Sequence, residues 1–128
     1  MMLADSDVLI DFLRGKGPGA ERIALELGTG RLQTTTINAF ELISGSKGPK
    51  EQQKVATLLA ALSILPVDLA SAERAAHVRR ELEGRGQGIG AADYLIAGVC
   101  LAHRATLLTR NVTHFERVPG LKLGGQHP

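Results

Sequence analysis

The chain is poor in aromatic residues: Phe, Trp and Tyr make up 3% of its 128 residues, and Trp does not occur. Proteins that bind single-stranded nucleic acid without sequence preference stack the bases on aromatic side chains, so we do not expect a binding surface of that type. The single cysteine, Cys100, excludes an intrachain disulfide. Because it lies in an apolar segment, we expect a buried and unreactive thiol.

Long apolar runs and metal-binding Cys/His motifs are also missing from the sequence. No apolar run approaches the roughly 18 residues that a membrane-spanning helix needs. The start of the chain, with Asp5 and Asp7, lacks the basic segment of a secretory signal. We therefore expect a cytoplasmic protein with no membrane contact. The four His residues are scattered, without the spacing of a zinc site.

The chain is mildly basic. Fifteen Lys and Arg residues stand against 13 Asp and Glu residues, giving a net charge of +2. Arginines occur at positions 79, 80, 85, 104, 110 and 117. A basic protein suits an anionic substrate, although a solvated basic surface has the same composition. The length fits one domain with one sizeable core, and we expect residues 1–128 to form a single domain.

Short apolar or β-branched segments alternate with helical segments along the chain. We predict strands over residues 2–4, 31–36, 64–67 and 106–109, and an edge strand over 121–123. Helices are predicted over residues 8–15, 20–27, 38–45, 51–62, 70–83 and 91–103. This alternation predicts an α/β fold: a three-layer α/β/α sandwich around a central, mostly parallel sheet of four to five strands.

Three acids, Asp5, Glu41 and Asp93, each stand where a predicted strand gives way to a helix. A fourth such junction, residues 109–111, carries Asn111 and no acid. Such junctions meet at the carboxyl edge of a parallel sheet, where ligands bind. Clustered carboxylates repel one another unless a cation lies between them, and oxygen ligands suit Mg²⁺ or Mn²⁺. The pattern predicts a divalent-metal site.

Each acid also has an ordinary interpretation. Asp5 could cap a helix, although Ser6 and Asp7 are equally capable caps. Glu41 lies among apolar residues, where burial needs a partner, yet an exposed helical position is common. Asp93 opens a helix, where the helix dipole favours an acid. Only their shared placement favours a common site.

Other polar residues are given ordinary roles. The glycine-rich segment 84–90 is read as a flexible connector, because it matches no phosphate-binding motif. Without a nearby nucleophile, His114 is expected to be a structural or substrate-contacting residue. Asp11 and Asp68 are expected at the surface or at helix caps.

Four segments, residues 3–11, 35–42, 89–97 and 107–115, resemble the four motifs of PIN-domain nucleases in order and spacing. The similarity extends from about Met2 to Leu123. The short length and the ending through residues 118–121 look most like VapC-type toxins of toxin–antitoxin pairs.

The resemblance implies a toxin that cuts RNA as an Mg²⁺- or Mn²⁺-dependent endoribonuclease. It also implies a homodimer and a cognate antitoxin that covers the site. Asp5, Glu41 and Asp93 would be the catalytic residues and metal ligands. Because many members carry an acid where this chain has Asn111, we expect a second ion to be held more weakly.

Further residues are assigned supporting roles. The hydroxyls of Ser6 and Thr109 are expected beside the metal ligands, with Asn111 supporting the same site. Asn38 is expected to orient Glu41. Arg85 and Arg110 are expected to bind flanking phosphates of the RNA.

Two other classes of function stay open. A PIN-like module could bind RNA or a protein without cutting. The presence of Asn111 in place of an acid supports this alternative. A phosphatase with a nucleophilic Asp in an Asp-x-Asp motif would fit the spacing of Asp5 and Asp7, but it would leave Glu41 without a role.

Overall fold

The structure, a computed structural model, describes residues 1–125. Within that range five strands alternate with seven helices, in the following order: β1 (Met2–Ala4), α1 (Ser6–Arg14), α2 (Ala20–Leu27), β2 (Gln33–Thr35), α3 (Thr36–Gly45), α4 (Gly48–Ala60), β3 (Ser63–Leu65), α5 (Leu69–Gly84), α6 (Ala91–His103), β4 (Thr106–Leu108), α7 (Val112–Phe115) and β5 (Lys122–Leu123). Every predicted strand and helix is present, with small shifts at the ends.

The five strands form one parallel sheet in the order β3-β2-β1-β4-β5. Parallel neighbours require crossover connections, and helices provide them here. The strand order reverses between β1 and β4, which pair directly through Leu3 and Leu107. In such sheets the crevice at the reversal point is the place where ligands bind. Asp5 and Thr109, which directly follow β1 and β4, flank that crevice.

Two hydrophobic cores cover the two faces of the sheet. Leu3 and Leu107 belong to one core with residues of α5 and α6, whereas Ala4 and Leu108 belong to the other with residues of α1 to α4. Successive side chains of a strand point to opposite faces, so β1 and β4 each contribute to both cores. The predicted three-layer α/β/α architecture is confirmed.

Helix α6 is buried on several sides, as its continuous apolar sequence predicts. It packs closely along α5, and a side chain at Gly98 would collide with the carbonyl oxygen of Ser71. Cys100 is fully buried, and burial raises the pKa of its thiol to about 12. The expected burial of the thiol is confirmed.

Local structure differs from the predictions at α4 and α7, and it settles the open choice of cap for α1. The helix predicted from residue 51 begins at Gly48 instead, with Pro49 in its first turn, because proline fits the first turn of a helix. Helix α7 was not predicted, since four residues are too few to show a periodic pattern. Helix α1 is capped by Asp5 and not by Ser6 or Asp7.

No helix within residues 1–125 combines the length and the apolar character that crossing a membrane requires.

Candidate active site

Asp5 lies at the centre of a hydrogen-bond network at the carboxyl edge of the sheet. Its side chain is 8% exposed. Its Oδ1 accepts hydrogen bonds from the backbone N–H of Ser6 at 2.8 Å and from Asn38 Nδ2 at 3.0 Å. Its Oδ2 accepts one from Thr109 Oγ1 at 2.7 Å. Asp5 is therefore both the cap of α1 and the meeting point of three chain segments.

The surroundings of Asp5 disfavour its negative charge. Burial, followed by the nearby charge of Asp7, raises its pKa from 3.8 to about 6. Asp93 adds to the rise, whereas the hydrogen bonds from Thr109 and Ser6 oppose it. A carboxylate in this state is stabilised by a proton or by a cation.

Asn38 connects Asp5 with Glu41 through the hydroxyl of Ser6. Asn38 is buried and forms a capping box with Thr35 at the start of α3. Its Nδ2 also donates to Ser6 Oγ at 3.0 Å, and that hydroxyl donates to Glu41 Oε1 at 2.6 Å. Asn38 thus reaches Glu41 through Ser6. Glu41 itself is exposed, which agrees with the ordinary interpretation of its helical position.

The turn after β4 closes the opposite side of the crevice. Besides donating to Asp5, Thr109 Oγ1 accepts a hydrogen bond from the backbone N–H of Asn111 at 3.0 Å. The backbone N–H of Arg110 donates to Asp7 Oδ2 at 2.9 Å. The buried hydroxyl of Thr109 therefore links the turn directly to the carboxylate of Asp5.

Asp7 is a member of the network that the sequence reasoning missed. Its Oδ1 accepts the N–H of Val8 at 2.7 Å, and its Oδ2 lies 3.4 Å from Thr109 Oγ1. Burial raises its pKa. Asp7 stands two residues after Asp5 in the sequence, a position that indicates a helix cap or part of a phosphatase motif as readily as a member of the site.

Asp93 and Asn111 meet at His114. Asp93 Oδ2 lies 3.3 Å from His114 Nδ1, and the same nitrogen lies 3.1 Å from Asn111 Nδ2. Nδ1 donates to Asp93 in one tautomer and accepts from Asn111 in the other, so the tautomer decides which bond forms. The structure places His114 beside an acid, and its structural or substrate-contacting role stays a prediction.

Both arginines expected to bind phosphates are engaged in ion pairs. Arg85 contacts Glu81 at 2.7 Å, and Arg110 Nε contacts Asp11 Oδ2 at 3.0 Å. Both guanidinium groups keep substantial exposure, so their role toward RNA stays a prediction. Asp11 is buried, and its expected surface or capping position was wrong.

Comparisons with known proteins identify the family. The model of the PIN domain family matches residues 2–121. Ribonuclease VapC10 of Mycobacterium tuberculosis is 34% identical, over 95% of this chain and 91% of the relative. The chain belongs to the PIN-domain family. A tRNA(fMet)-specific endonuclease VapC of Shigella flexneri is 27% identical, over 94% of this PIN domain and 93% of the relative.

Solved structures agree with the fold of this PIN domain. VapBC2 of Rickettsia felis, bound to a DNA fragment from its promoter, matches with a TM-score of 0.84 and 26% identity, over 96% of both chains. VapBC-1 of nontypeable Haemophilus influenzae matches with a TM-score of 0.83 and 25% identity, over 98% of this chain and 97% of the other. The predicted resemblance to VapC-type PIN domains is confirmed.

The donors that the PIN domain brings to its crevice suit a hard cation, because Asp5, Glu41 and Asp93 all offer carboxylate oxygens. The raised pKa of Asp5 adds a reason for a cation to bind there. Among residues 1–125, however, no three His, Cys, Asp or Glu side chains are already arranged as a ligand set. Glu41 contacts Ser6, and Asp93 contacts His114. The metal-binding role of the three acids stays a prediction.

A groove of about 560 Å³ extends from Glu41 between α1, α3 and α4. Its apolar lining includes Ile10, Leu13 and Val55, and its basic lining includes Arg14, Lys16 and Lys54. Glu41 and Glu51 add acidic groups to this lining, so the groove suits a macromolecular partner that carries apolar groups and charges of both signs.

Proposed function

We propose that this PIN domain is the toxin of a toxin–antitoxin pair and hydrolyses RNA phosphodiester bonds with Mg²⁺ or Mn²⁺. The observation that carries the proposal is the buried carboxylate of Asp5. It lies at the reversal point of a parallel sheet and is bonded to Asn38 and Thr109 from two other strand ends. The relatives named as ribonucleases support RNA as the substrate.

We propose a role for each residue of the site, supported by its contacts. Asp5, Glu41 and Asp93 hold the divalent ion, directly or through its waters. When bound, the ion supplies a water of lowered pKa and stabilises the charge that develops on the phosphoryl oxygens. Asn38 and Thr109 fix the two oxygens of Asp5. Glu41 is exposed, so its side chain can turn from Ser6 toward Asp5 at little cost.

Asn111 supports the site without adding charge. Its backbone N–H donates to the hydroxyl of Thr109, and its side-chain amide lies beside His114. Because an amide oxygen is a weaker ligand than a carboxylate, a second ion at this turn is bound weakly. Arg85, whose side chain keeps 58% exposure, contacts flanking phosphates of the RNA.

A cognate antitoxin inhibits the enzyme by covering the crevice. The matched VapBC complexes support such a partner. The groove that begins at Glu41 offers an apolar and basic surface for one of its segments. We further propose that the toxin works in the cytoplasm as a homodimer. Phe40 and Ile43, exposed on one face of α3, offer an apolar surface to the second copy.

Asp93→Asn tests the proposed function. Purified without antitoxin and supplied with Mn²⁺, the wild type should cut RNA, and the variant should lose at least about a hundredfold in rate, because it lacks a ligand charge. Asp68→Asn is the matched control. Asp68 is an exposed cap of α5, and asparagine caps helices equally well. Full activity of Asp93→Asn would refute the assignment.

Calorimetric titration with Mn²⁺ separates the enzyme from a binding module that does not cut. The enzyme should take up Mn²⁺ at a specific site that Asp5→Asn removes. RNA binding without specific uptake of Mn²⁺ and without cleavage would favour the binding module.

A further inference from the structure

Asp11 is a buried carboxylate that has no part in the proposed chemistry. It is 6% exposed and lies on α1, four residues after Asp7. Its Oδ2 accepts a hydrogen bond from the backbone N–H of Gly19 at 3.2 Å and contacts Arg110 Nε at 3.0 Å. A buried charge requires such partners, because the loss of hydration is not otherwise compensated.

The loop between α1 and α2 closes tightly over this carboxylate. Gly17 has φ +99°, and a Cβ there would lie 2.6 Å from the carboxyl carbon of Asp11. Only glycine combines that backbone conformation with such an approach. The loop thus shields Asp11 from solvent on one side, which leaves Arg110 as its cationic partner. Asp11 keeps 9% side-chain exposure, whereas Arg110 keeps 44%.

Helix α1 holds Arg110 at two points. Asp7 and Asp11 are four residues apart and therefore lie on the same face of α1. Asp7 Oδ2 accepts the backbone N–H of Arg110 at 2.9 Å, and Asp11 Oδ2 binds the guanidinium at 3.0 Å. The contact with Asp7 fixes the backbone of Arg110, and the contact with Asp11 fixes its side chain.

The two neighbours of Arg110 are the residues of the turn that face the proposed site. Thr109 donates its hydroxyl to Asp5, and Asn111 contacts both Thr109 and His114. Any displacement of Arg110 along α1 moves both neighbours. The position of this one residue therefore sets the hydrogen bond to Asp5 and the placement of Asn111.

We propose that Arg110 is a positioning residue, which holds the turn of residues 109–111 against α1 through Asp11. Its main partner is the buried carboxylate and not a phosphate of the substrate. This inference rests on the proposed nuclease function for its effect on rate. It replaces the expectation that Arg110 binds RNA.

The test compares Asp11→Asn, Arg110→Ala and their double variant, using Mn²⁺ and a mixed-sequence single-stranded RNA. Each single variant should lower kcat about tenfold, because small misplacements in an active site are costly. The double variant should lose no more than either single variant, and KM should stay within about twofold. Arg110→Lys should recover part of the loss, because it keeps a cation within reach of Asp11.

Asp11→Asn is the decisive variant, because it frees Arg110 without removing its charge. If Arg110 bound a phosphate, Asp11→Asn would leave kcat intact. Arg110→Ala would then raise KM and reduce the slope of log affinity against log salt by about one. That combination would overturn the proposal. Arg79→Ala, which breaks an exposed ion pair with Glu83 on α5, is the matched control and should change neither constant.

Amide hydrogen exchange gives a second readout that does not depend on activity. In Asp11→Asn the N–H groups of Arg110 and Asn111 should exchange at least about tenfold faster. The turn would no longer hold these N–H groups against their acceptors, Asp7 and Thr109. Unchanged exchange in that variant would overturn the proposal. If the wild type cut no RNA under any metal, the proposed function would fail, and exchange would still decide the positioning role.

Discussion

Replacing Asp5 with Asn should make the metal-free protein more stable near neutral pH. The pKa of Asp5 rises from 3.8 to about 6 in the folded protein, chiefly through burial and then through the charge of Asp7. That difference corresponds to about 3 kcal/mol. The folded protein thus carries a buried charge that it does not stabilise, and Asn removes that charge while keeping the shape.

The sign of the effect follows from proton binding. Between pH 3.8 and about 6 the folded state binds a proton at Asp5 that the unfolded state has released. The stability contributed by the protonated carboxyl is fully present below about pH 4 and is lost as the pH rises through 6. At pH 7.5 the wild type should therefore be weaker than Asp5→Asn by up to about 3 kcal/mol.

Asparagine can keep the surrounding hydrogen bonds. Its Oδ1 can accept from the N–H of Ser6 and from Asn38, as Asp5 Oδ1 does. Its Nδ2 can donate to Thr109 Oγ1, whose own hydrogen can then turn to Asp7, 3.4 Å away. No buried polar atom of this group loses its partner, so the removed charge dominates the change in stability.

Thermal unfolding in chelator measures the effect. At roughly 3–5 °C for each kcal/mol in a domain of this size, Asp5→Asn should raise Tm by about 10 °C at pH 7.5 and by little at pH 4. Asp68→Asn should not raise Tm, because hydrogen bonds from Ser71 lower the pKa of Asp68. Saturating Mn²⁺ should raise the Tm of the wild type and leave Asp5→Asn unchanged.

Two results would refute this reasoning. A lower Tm for Asp5→Asn at pH 7.5 would mean that the charge of Asp5 is stabilised by its hydrogen bonds more than burial destabilises it. A gain that persists undiminished at pH 4 would mean that the effect comes from packing and not from charge.

Three further predictions concern neighbouring residues. Glu41→Gln should lower RNA cleavage at least about a hundredfold and shift Tm by less than about 2 °C, because Glu41 is exposed; a large fall in Tm would indicate a structural role. Thr109→Val removes a hydrogen bond that lowers the pKa of Asp5, so titration followed by NMR should show a higher pKa; a fall would contradict the assignment. Asn111→Asp should tighten Mn²⁺ binding in calorimetry and lower the metal-free Tm; weaker binding would exclude Asn111 from the metal site.

The parts of the fold that could be predicted are those whose residues form a recognisable pattern within a short stretch of sequence. The run of residues 2–4 before Asp5 and the continuous apolar sequence of α6 each carry a signal within a few residues. The strand-to-helix junctions, and then the PIN motifs, indicated the candidate acids, and the structure places Asp5 at the reversal point of the sheet. Helix α7 was not predicted because four residues make only about one turn and show no repeat.

The parts that could not be predicted depend on partners far away in the sequence. Asp11 looks like an ordinary polar position of an amphipathic helix until the fold brings Arg110, 99 positions later, against it. The exposure of Glu41 likewise depends on how α3 lies against the rest of the domain. A local sequence window contains neither the burial nor the partner, so neither could be inferred from it.

The absence of an acid at Asn111 weakens the proposed site for a second ion, but it leaves negative charge around Asp5 in place. The expectation of a weak second ion counts only the acids of the family motifs. Asp7, outside that count, is the second largest cause of the raised pKa of Asp5 after burial. Its Oδ2 also lies within 3.4 Å of Thr109, the residue that anchors the turn carrying Asn111. Asp7, on the first turn of α1, thus supplies a negative charge near Asp5, where the turn after β4 supplies none. A cation at Asp5 is therefore still favoured electrostatically.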